Sequence, residues 1–264
     1  MIKNLLHRFA LRDKLLAFIV PFLVLTLWQG ALSLHLFSEL ILIPPLTLVS
    51  TFFELVGSGD LTNNIIASLQ RVMEGFLLGG SLGFIIGVVT GLSPFMNRVL
   101  TPLIKALQQV PEFAWMPLII LLFGIDELAK IVFVSIGAFY PMLFNTYLGV
   151  SGVPKKYQEL AWVFDYRRFR YLTKLIIPSA LPSIITGIRL SLGLSWMFVV
   201  GAELFGADSG LGYMMTWGRQ LFQIDIVMVG LFVIGAIGLA MNSLLLFIEK
   251  RLLSWRVSFD GRTS

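Results

Sequence analysis

Apolar residues run through this chain in long blocks, and the charges gather between them. The blocks fall at Leu15–Leu36, Gly75–Leu92, Leu103–Phe123, Ala129–Val150, Leu181–Phe205 and Ile226–Ile248. Each is close to the ~20 residues an α-helix needs to cross the hydrocarbon of a bilayer. The pattern therefore predicts an all-α integral membrane protein with six spans. Pro111 and Pro117 interrupt the third block, because proline removes a backbone donor and crowds the turn before it. Between the first two blocks, Ile43-Pro44-Pro45 favours extended backbone. The run Leu46–Val56 that follows is apolar enough to lie along the membrane surface or to pack on the bundle.

Within the second block Gly75, Gly79, Gly83, Gly87 and Gly91 recur every four residues. That spacing sets small residues along one helix face and lets another backbone come close. The expected result is tight helix packing, either static or as a sliding contact during transport.

One interior stretch is neither apolar enough to span nor polar enough to be a loose linker. It runs from Pro154 through Pro178 and on to Pro182, with Lys155, Lys156, Arg167, Arg168, Arg170 and Lys174. Leu160, Val163 and Phe164 repeat at helical spacing, and Phe169, Leu172 and Ile176 do so after them. Asp165-Tyr166 separates the two patterns, and aspartate tolerates a left-handed turn better than most residues. The reading is a short helix, a turn, and a second helix ending before Pro178. A hairpin with an apolar face and a basic rim suits a protein partner, its own bundle or anionic headgroups equally well.

Composition agrees with the membrane reading. Of 264 residues 57% are hydrophobic and only 13% charged, where a soluble domain carries roughly 25% charged residues. Mean hydropathy is +0.86. The formal net charge of +5 does not form one basic face, so a nucleic-acid partner is not implied. Instead Lys3, Arg8, Arg12, Lys14, Arg98, the six basic residues of the hairpin, Lys250, Arg251, Arg256 and Arg262 fall in alternate inter-span segments. The opposite segments hold Lys130, Arg219 and, at the start of the second span, Arg71. By the positive-inside rule both termini are expected in the cytoplasm. The first block continues to about Phe37 with no A-x-A cleavage site, which reads as a retained helix rather than a signal peptide. Cysteine is absent, and His7 and His35 stand alone, so no disulfide or metal site is expected. There is no G-x-x-x-x-G-K-[ST] loop, and Gly210-x-Gly212 lacks the third glycine and the strand–helix setting of a dinucleotide fingerprint. No catalytic residues and no cofactor are expected in this chain.

The hairpin resembles the EAA motif of binding-protein-dependent ABC importer permeases. That motif reads Glu-Ala-Ala, three residues, Gly, nine residues, Ile-x-Leu-Pro. Here it is Glu159-Leu160-Ala161, then Asp165 in place of Gly, then Leu175-Ile176-Ile177-Pro178. The resemblance extends to Val110-Pro111, Ala114-Trp115, Pro117-Leu118 and Phe123-Gly124-Ile125. It also takes in Pro178-x-Ala180-Leu181-Pro182 with Gly187 and Arg189, and Ala202-Glu203 with Ser209-Gly210-Leu211-Gly212-Tyr213 and Asp225. These resemble the sulfonate, taurine and nitrate branch of the family. The resemblance implies a type I importer bundle whose coupling loop, 154–178, docks in a partner ATPase that binds ATP and Mg. Glu159, Leu160, Ala161, Asp165, Phe169 and Pro178 would carry that coupling. It also implies an extracytoplasmic substrate-binding protein, a second permease copy forming a homodimer, and residence in the inner membrane. The expected division is a cytoplasmic segment 1–14, a first span and external segment 15–61, a permease domain 62–250 and a cytoplasmic tail 251–264.

Charges inside the blocks remain to be placed. Lys105, Glu112, Arg189 and Glu203 would each cost at least ~2.5 kcal/mol facing lipid at the bilayer centre. They are expected to face the bundle, the dimer interface or water. Arg189 and Glu203 share a span but lie too far apart to pair, so each needs another partner. Glu112, Trp115, Arg189, Ser195, Trp196 and Glu203 are the candidate lining of a translocation path, the tryptophans and Ser195 as donors toward an anion. The implied cargo is a small organic anion, an aliphatic sulfonate such as taurine. Nitrate, bicarbonate and a thiamine-precursor pyrimidine stay open, as does a gradient-driven transporter using the interrupted third span.

Overall fold

A computed structural model describes residues 19–20, 22–34 and 43–253 of the chain. The basic N-terminal residues, His7, His35, part of the first predicted span, and Arg256 and Arg262 lie outside the described residues. The described part is helical. In chain order the helices are α1 (Phe22–Ser33), α2 (Pro45–Ser58), α3 (Asp60–Leu92), α4 (Pro94–Gln108), α5 (Met116–Phe123), α6 (Glu127–Ser151), α7 (Lys155–Val163), α8 (Arg168–Tyr171), α9 (Ile177–Leu204), α10 (Leu211–Gln220) and α11 (Ile224–Leu252).

Among the described residues, four helices are long and apolar enough to cross a membrane, and five spans result if the bent α4–α5 pair counts as one. The six-span count is thus not reproduced. The described part of the first predicted span is the short helix α1. The second span begins at Asp60, well before Gly75, because α3 carries Asn63, Asn64 and Arg71 inside its own helix. The third is broken by 89° between Gln108 and Glu112, and a 3-10 turn, Glu112–Trp115, leads into α5. Pro111 stands at the break. Pro117 sits in the first turn of α5, where a missing N–H costs nothing.

The core is the packing of α3, α6 and α9. The glycines of α3 face α6 at a nearly constant offset. A Cβ built on Gly75 would meet Val134, on Gly79 the Ser135 backbone, on Gly83 Phe139 and Met142, on Gly87 Leu143 and Thr146, and on Gly91 Val150. Residue numbers rise together on both helices, so α3 and α6 run parallel. The segment between them must then carry the chain from one end of the bundle to the other, and the bent α4–α5 pair makes that traverse. By the same logic α9 runs antiparallel to α6, with Gly149 against Ser183 and Gly137 against Phe198. Helix α11 runs antiparallel to α9, with Gly238 beside Trp196 and Arg189 paired to Glu249. These directions gather Arg98, the basic residues 155–174, Lys250 and Arg251 at one end. Helix α2 packs on the bundle through Leu48, Thr51 and Leu55, and the Thr51 hydroxyl donates to Asp225 at 2.8 Å.

Candidate functional site

The hairpin at the basic end starts from Pro154 and forms α7. Its turn is set by Asp165, whose φ of 48° is left-handed. Phe164 N–H donates to Leu160 C=O at 3.1 Å, and Tyr166 N–H reaches back to Ala161 C=O at 2.9 Å. This six-to-one bond over a left-handed residue is a Schellman close, normally made by glycine. Aspartate is one of the few residues that reach this conformation at modest cost.

The second arm is different from the separate helix expected. It does not end before Pro178. Residues Arg168–Leu204 form one continuous 37-residue helix. Pro178 is accommodated because the turn ahead of it, Leu172–Ile176, widens to π geometry. A widened turn relieves the clash of a proline ring with the carbonyl four residues back. Ala161 is only 4% exposed, whereas Leu160, Val163, Phe164 and Phe169 are 51%, 82%, 67% and 76% exposed. Glu159 and Asp165 are exposed as well, and so is Pro178 on the α9 side. The hairpin therefore presents apolar side chains outward at the basic end of the bundle.

The opposite end is closed by charges. Arg71 is 4% exposed and lies in the fourth turn of α3, so it is not the boundary residue its sequence position suggested. Its Nε and Nη2 donate to the two oxygens of Glu127 at 2.7 and 2.8 Å. Its Nη1 donates to Glu203 Oε1 at 2.8 Å and to Ser209 C=O at 2.7 Å, and Nη2 also donates to Ser209 Oγ at 2.7 Å. All five guanidinium N–H groups are thereby used. Glu203, 1% exposed, also accepts from Ser68 Oγ at 2.7 Å and from Gly212 N–H at 2.9 Å. Lys130 Nζ donates to Glu127 at 2.9 Å. Ser68 Oγ in turn accepts from Leu211 N–H, and Asn64 Oδ1 from Gly210 N–H. The exposed Asp208 Oδ1 stands 4.0 Å from both Arg71 Nη2 and Lys130 Nζ, so three carboxylates surround the two cations. Gly210 has to be glycine twice over: its φ is 107°, and a Cβ there would collide with the Glu203 carboxylate.

The candidate path residues do not converge on one cavity. Glu203 is committed to the charge cluster. Arg189 pairs with Glu249 at 2.9 Å, and the two are 28% and 19% exposed. Trp196 is buried and its Nε1 donates to Ile234 C=O at 3.2 Å. Ser195 is fully buried. Glu112 and Trp115 sit together on the 3-10 turn at the bend. Glu112 lines a cavity of about 130 Å³ with Gln108 and Tyr140. Trp115 lines one of about 280 Å³ with Gly79 and Tyr140. The charge cluster was missed as a unit because its members come from four distant segments. The signal available was that Arg71 and Glu203 are opposite charges in otherwise apolar surroundings. No group of metal-ligating side chains occurs among the described residues.

Comparison with known proteins follows the same lines. Residues 79–255 match the family described as binding-protein-dependent transport system inner membrane component. The chain is 40% identical over 243 residues to a protein of Bacillus subtilis (strain 168) named as the aliphatic sulfonates transport permease SsuC, covering 92% of this chain and 88% of that one. It is 32% identical to the taurine transport system permease protein TauC of Escherichia coli (strain K12), covering 88% and 86%. It is 31% identical to the nitrate import permease protein NrtB of Leptolyngbya laminosa, covering 87% and 84%. In fold it is similar to the inward-facing MetNI methionine ABC transporter, with a TM-score of 0.54 at 18% identity over 74% of this chain and 96% of that one. Permease subunits of this kind are not enzymes, ATP hydrolysis lying in a separate subunit. The chain belongs to the binding-protein-dependent ABC importer permeases, in their sulfonate, taurine and nitrate branch.

Proposed function

We propose that this permease carries an aliphatic sulfonate such as taurine inward, as a homodimer above two copies of a partner ATPase and below an extracytoplasmic binding protein. The observation that carries the reading is the hairpin. Exposed Leu160, Val163, Phe164 and Phe169 crown the end of the bundle where Lys and Arg collect. An exposed apolar patch with a charged rim marks a protein partner rather than solvent. By the positive-inside rule the basic residues support a cytoplasmic position for that end and for both termini, with the chain in the inner membrane. ATP and Mg would be held by the partner. Motion of the hairpin would switch the bundle between inward-facing and outward-facing states. Glu112 and Trp115 at the bend are the path residues that the cavities favour, since the remaining candidates are buried or already paired. The relatives named for sulfonates and taurine support the cargo, and the relative named for nitrate import supports a second, inorganic anion.

The test is uptake of labelled taurine into vesicles holding the permease, its ATPase and, outside, its binding protein. ATP-dependent uptake that Val163→Asp abolishes, together with ATPase co-purification, is the expected result. Uptake by the permease alone, driven by an ion gradient, would overturn the importer reading. ATP-driven uptake of nitrate but of no sulfonate would overturn the cargo.

A further inference from the structure

Where the hairpin meets the bundle there is a cavity of about 570 Å³, lined by Asn145 of α6, Pro154 and Tyr157 of the hairpin, and Ser179, Pro182, Ser183 and Thr186 of α9. Its volume lies within the roughly 300–1,000 Å³ of small-molecule sites. Its chemistry differs from that of the other cavities described above. The lining holds three aliphatic hydroxyls, a phenol and a carboxamide, and no charged group. Positions 179, 182, 183 and 186 fall on one face of α9, because three- and four-residue steps return to the same side of a helix.

The hydroxyls are not all free. Some helical serines and threonines in this chain spend the hydroxyl hydrogen on the carbonyl four residues back: Thr26, Ser33, Thr90, Ser151, Thr173 and Thr186 do. Ser179 and Ser183 form no such bond and the Tyr157 hydroxyl has no partner among the described residues; Tyr157 and Ser179 are exposed, Ser183 half-buried. Asn145 Nδ2 spends one hydrogen on Pro141 C=O at 2.8 Å and keeps the other. Several neutral donors thus converge with no carboxylate among them to repel an anion.

We infer that this cavity is a release-side site for the sulfonate or a comparable small oxyanion, held by Ser179, Ser183, Tyr157 and Asn145. The inference rests on the anion-import reading above and deepens it. Neutral donors suit a site that must let go: each net hydrogen bond holds weakly, whereas a buried Lys or Arg would grip. Tyr157 and Pro154 belong to the hairpin while the serines belong to α9. A hairpin displaced by the ATPase therefore changes the spacing of the donors and the grip on the anion together.

The chain has no cysteine, so single cysteines report without background. Ser183→Cys and Ser179→Cys are placed in the complete complex in vesicles, and their rates of labelling by a charged thiol reagent are measured with and without taurine on the cytoplasmic side. Taurine at about four times its dissociation constant is expected to slow labelling at both positions about fivefold, by occupancy of the site. Ser151→Cys, outside the cavity lining, is expected to label at an unchanged rate. Labelling at 179 and 183 that taurine does not slow overturns the site. Labelling slowed by adding the ATPase, and no further by taurine, also overturns it and makes the cavity part of the subunit interface. Wild-type taurine uptake is measured in the same vesicles. Its absence sinks the import reading, whereas normal uptake with unprotected cysteines sinks only the site.

Discussion

The two ends of the α3–α6–α9 bundle solve opposite problems. At one end Arg71, Glu203, Glu127 and Lys130 form a closed set in which every guanidinium hydrogen has an acceptor. At the other end α6, α9 and the hairpin line an uncharged cavity, beside a widened helical turn and apolar hairpin side chains in the open. Buried charges are costly to separate once paired, because each partner left alone has lost both its water and its counter-ion. Hydroxyls and carboxamides can exchange partners at far lower cost. The difference assigns stability to one end and adjustability to the other.

The contrast breaks most sharply at Glu203. Glu203→Ala leaves a buried guanidinium short of a carboxylate and should cost about 3–5 kcal/mol. Thermal unfolding of the purified permease in detergent checks this, and a change below about 1 kcal/mol would show that the cluster is not what holds this end. A smaller loss is expected at Gly79→Ala. The added methyl meets the Ser135 backbone and must push α3 from α6, at about 1–3 kcal/mol by the same assay. Asp165→Val should loosen the hairpin turn by roughly 1–2 kcal/mol, read as faster hydrogen exchange at Tyr166 N–H, while Asp165→Gly should hold or tighten it. Phe169→Asp sits at the bottom of the stability scale. At 76% exposure it should move unfolding by no more than about 0.5 kcal/mol, yet remove the ATPase on co-purification. A variant that unfolded instead would place Phe169 inside the bundle's own packing.

Much of this contrast can be read from the chain before any coordinates. Apolar blocks announce helices in a membrane, and the alternating Lys and Arg content separates the ends. The four-residue glycine spacing announces a close neighbour, though not that the neighbour is α6 or that it runs parallel. Other features needed three dimensions. Hydropathy places the start of α3 too late because it counts Asn64 and Arg71 as water-seeking, and they have partners more than 50 residues away on α6, α9 and the segment before α10. Trp196 looks from its sequence like a polar-tipped liner, but Ile234 C=O takes its one donor. Pro178 reads as a helix stop, yet a single widened turn lets the helix pass through it.

That last feature has a mechanical meaning. A 37-residue helix is about 55 Å long, against a hydrocarbon thickness of about 30 Å. One continuous helix therefore begins at the hairpin and ends one residue past the charge cluster's Glu203. Were Phe169 pushed sideways, a helix of this length pivoting at mid-membrane would carry its far end the opposite way. The π turn at Leu172–Ile176 lies near the hairpin end, and the whole α-helical stretch Ile177–Leu204 follows it without another widened turn.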